Sequence, residues 1–199
     1  MGKLALRGFA LLVVIGLLGV GSYAIAGGGS KNFKGSPLNG YEEVPSVSSV
    51  ANGSFEARLS NDGTSLHYVL RYSGLEGTVT QSHVHFGQTS ANGGISFFLC
   101  GTGPGPANRP PATAPATPTC PQSGTVEDDI VAADVIGPSG QGIDATEFRE
   151  ILAAMRAGKA YANVHSSKFG SGEIRAQIND RGNRGKDDDD RGKNDDDDD

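Results

Sequence analysis

The stretch SFEARLSNDGTSLHYVLRYS, residues 54–73, has the pattern that decides the fold. Apolar and polar residues alternate on both sides of a short polar break, and the side chains of a β-strand point alternately to opposite faces. The apolar residues that share a face are Phe55, Ala57, Leu59, Leu66, Tyr68, Leu70 and Tyr72. Between the two runs, Asp62-Gly63 is a strong hairpin signal, because Gly accepts the positive φ that tight turns require. The stretch therefore predicts two antiparallel strands with one face in a core.

Short apolar runs separated by turn residues recur on both sides of this hairpin. Examples are TVTQSHVHF, GGISFFLCG, KAYANVHSS and GEIRAQIND. Several short strands at such spacing are typical of an antiparallel β-sandwich or barrel, and we predict a mainly β domain of that class. The segment 31–47 contains Pro37 and Pro45, which cannot donate backbone hydrogen bonds, so we expect it at the edge of the sheet.

One segment has helical periodicity instead. In DATEFREILAAMRAGKA the apolar residues between Phe148 and Met155 fall on one helix face. Asp144 and Glu147 have the spacing of a capping box. Gly158 is the glycine that typically follows the end of a helix. We therefore predict one amphipathic helix, residues 145–157, that packs its apolar side on the sheet.

Two of the chain's four histidines stand close together in TQSHVHFGQ. Strand alternation puts His83 and His85 on one face, together with Val79 and Gln81. His165, in AYANVHSS, can supply a third ligand from another strand. Imidazoles are good ligands for both copper and zinc. The pattern thus points to one copper or zinc ion as a candidate cofactor.

The alternative is that these histidines are structural. In that case they hydrogen-bond to backbone carbonyls and neighbouring carboxylates and bind no ion. His67 falls on the strand face opposite Leu66 and Tyr68, so we expect it at the surface, outside the cluster. The sequence shows neither an activated serine or cysteine nucleophile nor a phosphate-binding glycine loop, and no catalytic residue is predicted.

Two charged residues alternate with apolar ones in GEIRAQI. Glu173 and Arg175 share one strand face, and Ile174 and Ala176 share the other, which we assign to the core. Charged residues at this spacing can lock neighbouring strands through hydrogen bonds. The alternative is a face that is simply solvated.

The beginning of the chain has the features of an export signal. Lys3 and Arg7 precede an apolar run, Phe9 to Val20, that is too short to span a bilayer comfortably. Ala24 and Ala26 then fit a small-residue cleavage site. We predict a signal peptide over residues 1–26, cleaved after Ala26. The mature protein is then secreted or periplasmic, with no stable membrane anchor. An uncleaved membrane anchor is the alternative.

Export affects the interpretation of the two cysteines. Cys100 and Cys120 flank residues 101–119, which are rich in Pro, Gly, Ala and Thr and are expected to form a loop. In an oxidising compartment, a disulfide that closes this Pro-rich loop is the natural interpretation. Two free thiols are the alternative.

The end of the chain is strongly acidic. From Asp180 onward it has ten Asp against five Lys and Arg and no apolar residue, so we predict a disordered Asp-rich tail, 180–199, after a domain at 27–179. The tail is either a solubilising extension or a loose binding site for divalent cations. The whole chain has a net charge of −6 and no basic patch, so nucleic acid is not expected as a partner.

Four motifs taken together resemble one known family. In chain order they are Glu-Glu-Val-Pro at 42–45, His-Val-His at 83–85, Asn-Val-His at 163–165 and Gly-Glu-Ile-Arg at 172–175. From Phe33 to Ile178 the chain resembles the CHRD (chordin-type) domain family. The resemblance implies an extracellular β-sandwich-like module, with Asn163, Glu173 and Arg175 in its structural motif. It also implies a binding or structural role toward an unknown extracellular protein or surface ligand.

A second resemblance concerns the histidine strand alone. SHVHFGQ is similar to the copper-ligand strand of the Cu/Zn superoxide dismutase family, which has His-x-His followed by Phe-Gly. This resemblance implies His83, His85 and His165 as copper ligands, whereas the zinc half is not matched because only His67 remains. The alternative to a metal-free module is therefore a mononuclear copper- or zinc-binding protein with superoxide-dismutase-like or metal-scavenging activity.

Overall fold

Alternating apolar residues along much of the chain give rise to an antiparallel sheet. The computed structural model describes residues 30–101 and 117–180. The strands in these ranges are β1 Asn32–Leu38, β2 Asn52–Leu59, β3 Ser65–Ser73, β4 Val79–Phe86, β5 Gly94–Gly101, β6 Gly124–Val131, β7 Ala160–Ser166 and β8 Ile174–Asp180. The α-helix, α1, is Phe148–Arg156. The predicted signal peptide, most of the Pro-rich loop and the tail beyond Asp180 lie outside the described residues.

The strands form one sheet in the order β5-β4-β7-β8-β1-β2-β3-β6, and all hydrogen-bonded neighbours are antiparallel. The sheet curls until β5 and β6 approach each other, so that it forms a nearly closed barrel. A disulfide between Cys100 and Cys120 links the end of β5 to the segment before β6. The mainly β, barrel-like fold and the disulfide are confirmed.

The hairpin of β2 and β3 forms as predicted. Phe55 lies opposite Leu70 and Leu59 lies opposite Leu66, so the apolar sets of the two strands share the inner face. All of these side chains belong to the hydrophobic core. Their burial removes apolar surface from water, which is the main favourable term in folding.

The expected edge position of segment 31–47 is wrong. Strand β1 pairs with β2 on one side and with β8 on the other, so it lies inside the sheet. Pro37 is tolerated because the pairing with β2 shifts register between Gly35 and Leu38, and a proline at such an irregularity removes no regular ladder hydrogen bond.

The predicted helix is present but shorter than residues 145–157. It begins at Phe148, and Asp144 does not cap it. Half of the capping box is observed, since the Glu147 carboxylate accepts a hydrogen bond from the Asp144 backbone N–H at 2.7 Å. Thr146 has a φ of 72°, which lies outside helical geometry and delays the start of the helix. The apolar side of α1 packs into the core as predicted.

The assignment of Val79 to the same face as the histidines is also wrong. Register between β4 and β7 shifts between Val79 and Gln81. This irregularity reverses the alternation, so that Val79 joins the hydrophobic core, whereas Gln81 hydrogen-bonds to His83 on the other face.

Candidate metal centre

Three histidines meet on the outer face of the sheet, where β4 and β7 pair. In this pairing Gln81 lies opposite His165 and His83 lies opposite Asn163. The residues that alternate with them belong to the core, so the histidines point away from it. One ring nitrogen each of His83, His85 and His165 lies within 4.8 Å of the others. The predicted convergence of these side chains is confirmed.

Although they lie on the outer face, the histidines are not in water. Their exposed fractions are 1% for His83, 8% for His85 and 5% for His165. Two loops contribute carbonyl groups over them. His85 Nδ1 lies 2.9 Å from the Gly93 oxygen, between β4 and β5, and His165 Nδ1 lies 3.0 Å from the Gly170 oxygen, between β7 and β8.

These carbonyl contacts fix the tautomers. A carbonyl oxygen only accepts, so Nδ1 of His85 and of His165 must carry the proton. In a neutral imidazole the other nitrogen, Nε2, then has a free lone pair. Such backbone hydrogen bonds are a common way to orient a histidine that ligates a metal. Both residues are thus held with an acceptor nitrogen directed into the cluster.

His83 presents its opposite nitrogen. Its Nε2 lies 3.0 Å from Oε1 of Gln81, and with the Gln81 amide in this orientation Nε2 donates and Nδ1 has the lone pair. That Nδ1 lies 3.2 Å from Nε2 of His165. Two lone pairs at this distance repel each other unless a cation lies between or beside them. Nε2 of His85 is buried and makes no hydrogen bond of normal geometry within the described residues, although the Asn163 side chain lies close enough to interact with His85.

The protonation states suit metal binding. Burial lowers the pKa of His83 well below its usual value, and the neighbouring His165 and His85 lower it further. Burial also lowers the pKa of His85 to about 4 and lowers the pKa of His165. All three rings are therefore neutral at pH 7, which is the form that coordinates a metal.

Aromatic rings surround the cluster. The Phe98 ring packs edge-on against His83 with 4.5 Å between centroids. The Tyr161 ring stacks on His85 at 4.7 Å with an interplanar angle of 1°. The Arg175 guanidinium also lies over the Tyr161 ring, 3.4 Å from the centroid of that ring. These contacts exclude water and restrict the rotation of the imidazoles.

Arg175 organises the loop that orients His85. The guanidinium donates to the backbone oxygens of Gln88 and Ala91, both at 3.0 Å. The loop ends at Gly93, whose N–H donates to the Tyr161 hydroxyl at 3.2 Å. A side chain at Gly93 would overlap the backbone oxygen of Phe86, so glycine is required there. Arg175 is thus a positioning residue at the site.

The other motif residues have separate roles. Glu173 is fully buried, lies just before β8 and accepts hydrogen bonds from Ser49, Ser166 and the Glu76 N–H. It makes no hydrogen bond with Arg175 or the histidines in the described part of the chain. The interpretation of this face as solvated is wrong, because these charged groups are buried and lock neighbouring segments together.

Asn163 lies in β7 between His83 and Arg175 in the register of the three adjacent strands. Its Oδ1 atom is buried and makes no hydrogen bond of normal geometry among the described residues, and its side chain interacts with His85. His67 lies away from the cluster, as predicted: it is on β3, exposed, with Nδ1 3.3 Å from the Asp129 carboxylate. Among the histidines in residues 30–101 and 117–180, His67 is the one that lies outside the cluster. It therefore does not provide a second, zinc-binding half beside the three clustered histidines.

Part of this site has no signal in the sequence. Gly93 and Gly170 act through backbone oxygens, which every residue type has. Phe98 has the pattern of an ordinary strand residue. Arg175 and Tyr161 could be placed on the correct faces by alternation, but the contact between them depends on the pairing of β7 with β8.

Comparison with protein families gives a match that covers most of the chain. No curated protein and no solved structure gives a significant match to the chain. The CHRD domain matches residues 35–178, a range that contains the histidine cluster and runs from β1 into β8. The chain therefore belongs to the CHRD domain family.

Proposed function

We propose that this protein is an exported CHRD module that binds one copper or zinc ion through His83, His85 and His165. The observation that carries the proposal is the 3.2 Å approach of His83 Nδ1 to His165 Nε2, where both atoms have lone pairs. A metal ion that accepts both pairs, and that of His85 Nε2, turns this repulsion into coordination. His85 Nδ1 and His165 Nδ1 are already held by the carbonyl groups that such ligands commonly use.

Export is supported by the disulfide. Disulfides persist in oxidising compartments and are rare in reducing ones. None of the helices in the described residues is long and apolar enough to cross a membrane. Together with the expected signal peptide at 1–26, this favours a secreted or periplasmic protein. In that setting the histidine site suits the scavenging of metal ions or superoxide-dismutase-like chemistry at a single ion.

A metal-free binding or structural module is the second candidate. If the Gln81 amide were turned around, its nitrogen would donate to His83 Nε2, and His83 Nδ1–H could donate to His165. This arrangement satisfies the pair without an ion. It leaves Nε2 of His85 buried with the Asn163 side chain nearby but no hydrogen bond of normal geometry, which costs up to about 1–3 kcal/mol. The geometry therefore favours the metal site.

The test is metal binding by the full mature chain. After treatment with a chelator, the protein is titrated with Cu⁺ under reducing conditions, with Cu²⁺ and with Zn²⁺. We expect one tightly bound ion per chain. The double variant His83→Ala, His85→Ala should bind that ion more than about 100-fold more weakly, since loss of outer hydrogen-bond partners alone costs 10–100-fold.

Two controls separate this site from other positions. His67→Ala removes the exposed histidine and should leave the tight site unchanged. Replacement of the tail aspartates by Asn removes the other candidate cation site. Equal binding by the wild type and the double histidine variant would contradict the proposal, and loss of binding in the tail variant alone would place the ion on the Asp-rich tail.

A further inference from the structure

The candidate ligands bring no negative charge to the ion. The three histidines are neutral, and no carboxylate or cysteine of the described residues joins the group whose ligand atoms lie within 4.8 Å of one another. Gln81, beside His83, and Asn163, in register with it, are also neutral. An ion in this cluster therefore keeps its full charge.

A permanent positive charge lies close to the cluster. Arg175 is 2% exposed, and its guanidinium lies on the ring of Tyr161, which in turn stacks on His85. Arginine does not lose its proton in proteins. Its guanidinium donates hydrogen bonds to the neutral backbone oxygens of Gln88 and Ala91, which do not cancel its charge.

The counter-charge available to Arg175 is limited. Glu43 is buried and interacts electrostatically with it, but burial raises the pKa of Glu43 to about 7. Glu42 also interacts electrostatically with Arg175, but it is exposed, so water screens its charge. When Glu43 is ionised, it balances Arg175 and leaves no buried negative charge over for a metal ion. The surroundings of the cluster are thus neutral to positive.

Burial makes this shortage of negative charge decisive. The cost of moving an ion out of water rises with the square of its charge, and it is several kcal/mol even for single charges in real proteins. A divalent ion must meet that cost without an anionic ligand. Zn²⁺ and Cu²⁺ also prefer four or more ligands, and a cluster that is 1–8% exposed has little room for added water. Cu⁺ carries a single charge and accepts three nitrogen ligands.

We propose that the site formed by His83, His85 and His165 holds copper as Cu⁺ and discriminates against Zn²⁺ and Cu²⁺. This inference rests on the proposed function, and it names the ion and the oxidation state that the site selects. The selection arises from neutral ligands in a buried setting beside Arg175, with three histidine donors among the described residues.

The test compares affinities on the full mature protein. Cu⁺ affinity is measured without oxygen against a chromogenic Cu⁺ chelator, Zn²⁺ against a zinc dye, and the copper potential by redox titration. We expect Cu⁺ to bind at least tenfold more tightly than Cu²⁺, which raises the potential above that of free copper by at least about 59 mV for this one-electron couple. Zn²⁺ or Cu²⁺ bound as tightly as Cu⁺ would overturn the inference and leave the proposed metal site standing. Absence of any tight ion would overturn the proposed function itself.

A charge variant tests the cause. Gln81→Glu places a carboxylate next to His83 at a half-buried position, where it should favour divalent ions and lower the copper potential. Asn61→Asp makes the same amide-to-acid change in an exposed turn, where the side-chain oxygen can still accept from Lys31. We expect the ratio of Cu⁺ to Cu²⁺ affinity to fall about tenfold or more in the first variant only. An unchanged ratio in Gln81→Glu would show that ligand charge does not set the preference.

Discussion

Strands β3 and β7 belong to one sheet but have different surroundings on their outer faces. In β3, buried residues alternate with half-buried or exposed ones. In β7, every residue from Ala160 to Ser166 is buried. The inner faces of both strands contribute to the same hydrophobic core. The difference arises because loops cover the outer face of β7, whereas water meets that of β3.

This difference shows where polar residues are costly. A polar residue on the outer face of β3, such as His67, stays hydrated. On β7, Asn163 and His165 have been removed from water, which is unfavourable unless other groups replace the lost hydrogen bonds. We call the half of the sheet around β7, which is buried on both faces, the doubly buried half. Its polar residues are the ones whose burial needs an explanation by function or by internal hydrogen bonds.

The largest expected effect is a loss of stability of the metal-free protein in acid. Burial lowers the pKa of all three clustered histidines, so the unfolded chain binds protons at a higher pH than the folded chain. Their contribution is complete above pH 6.5 and is lost as the pH falls. For His85, with a pKa of about 4, the loss is about 3 kcal/mol by pH 4. Urea unfolding of chelator-treated protein at several pH values measures it.

Glu43 changes the pH dependence of stability in the opposite direction, so its contribution must be separated from that of the histidines. Burial raises its pKa to about 7, so its contribution is present at low pH and is lost as the pH rises from about 4.5 to 7. Glu43→Gln removes this effect, and the variant should lose stability in acid more steeply than the wild type. If the free energy of unfolding of Glu43→Gln did not change between pH 6.5 and 4, the result would contradict the burial of neutral histidines.

The second prediction compares the two halves directly. Glu173→Ala leaves the hydroxyls of Ser49 and Ser166 and the Glu76 N–H without their acceptor in the doubly buried half. We expect a loss of roughly 2–3 kcal/mol in the free energy of unfolding at pH 7. Glu127→Ala changes an exposed acid on β6 and should stay within about 0.5 kcal/mol. Equal effects would remove the distinction between the halves.

The smallest expected effect concerns the support around the cluster. Tyr161→Phe keeps the ring on His85 and Arg175 but removes the hydroxyl that accepts from the Gly93 N–H. We expect a loss of about 1 kcal/mol in stability and of about tenfold in metal affinity. The metal titration described above measures the second quantity. Unchanged affinity would show that the loop orients His85 without this bond.

The same comparison explains what the sequence could predict. The β2–β3 hairpin follows from residues 54–73 because one face meets water, which leaves a strict alternation. The cluster could be predicted as well, since His83 and His85 share parity and His165 had to pair nearby. The reversal at Val79 could not, because an irregularity in register depends on the partner strand and not on local pattern.

Other predictions were wrong because they depend on contacts between distant parts of the chain. The central place of β1 depends on its pairing with β8, which follows it by more than a hundred residues, so Pro37 alone gave the wrong position. Burial of Glu173 and Arg175 depends on covering loops that come from distant parts of the chain. The start of α1 depends on the conformation of Thr146, which the capping pattern does not encode.

The acidic outer residues of β6 affect how copies of this protein meet in solution. Within the described residues β6 pairs with β3 alone, and its second edge faces β5 across the remaining gap of the barrel without strand pairing, so backbone groups there can still meet another chain. Glu127, Asp128 and Asp129 stand exposed along that strand. Two copies that approached edge to edge would bring like charges together, and charge on an edge strand opposes such pairing. The repulsion is screened within about 10 Å at 0.1 M salt, so solutions of low ionic strength keep the chains apart most effectively.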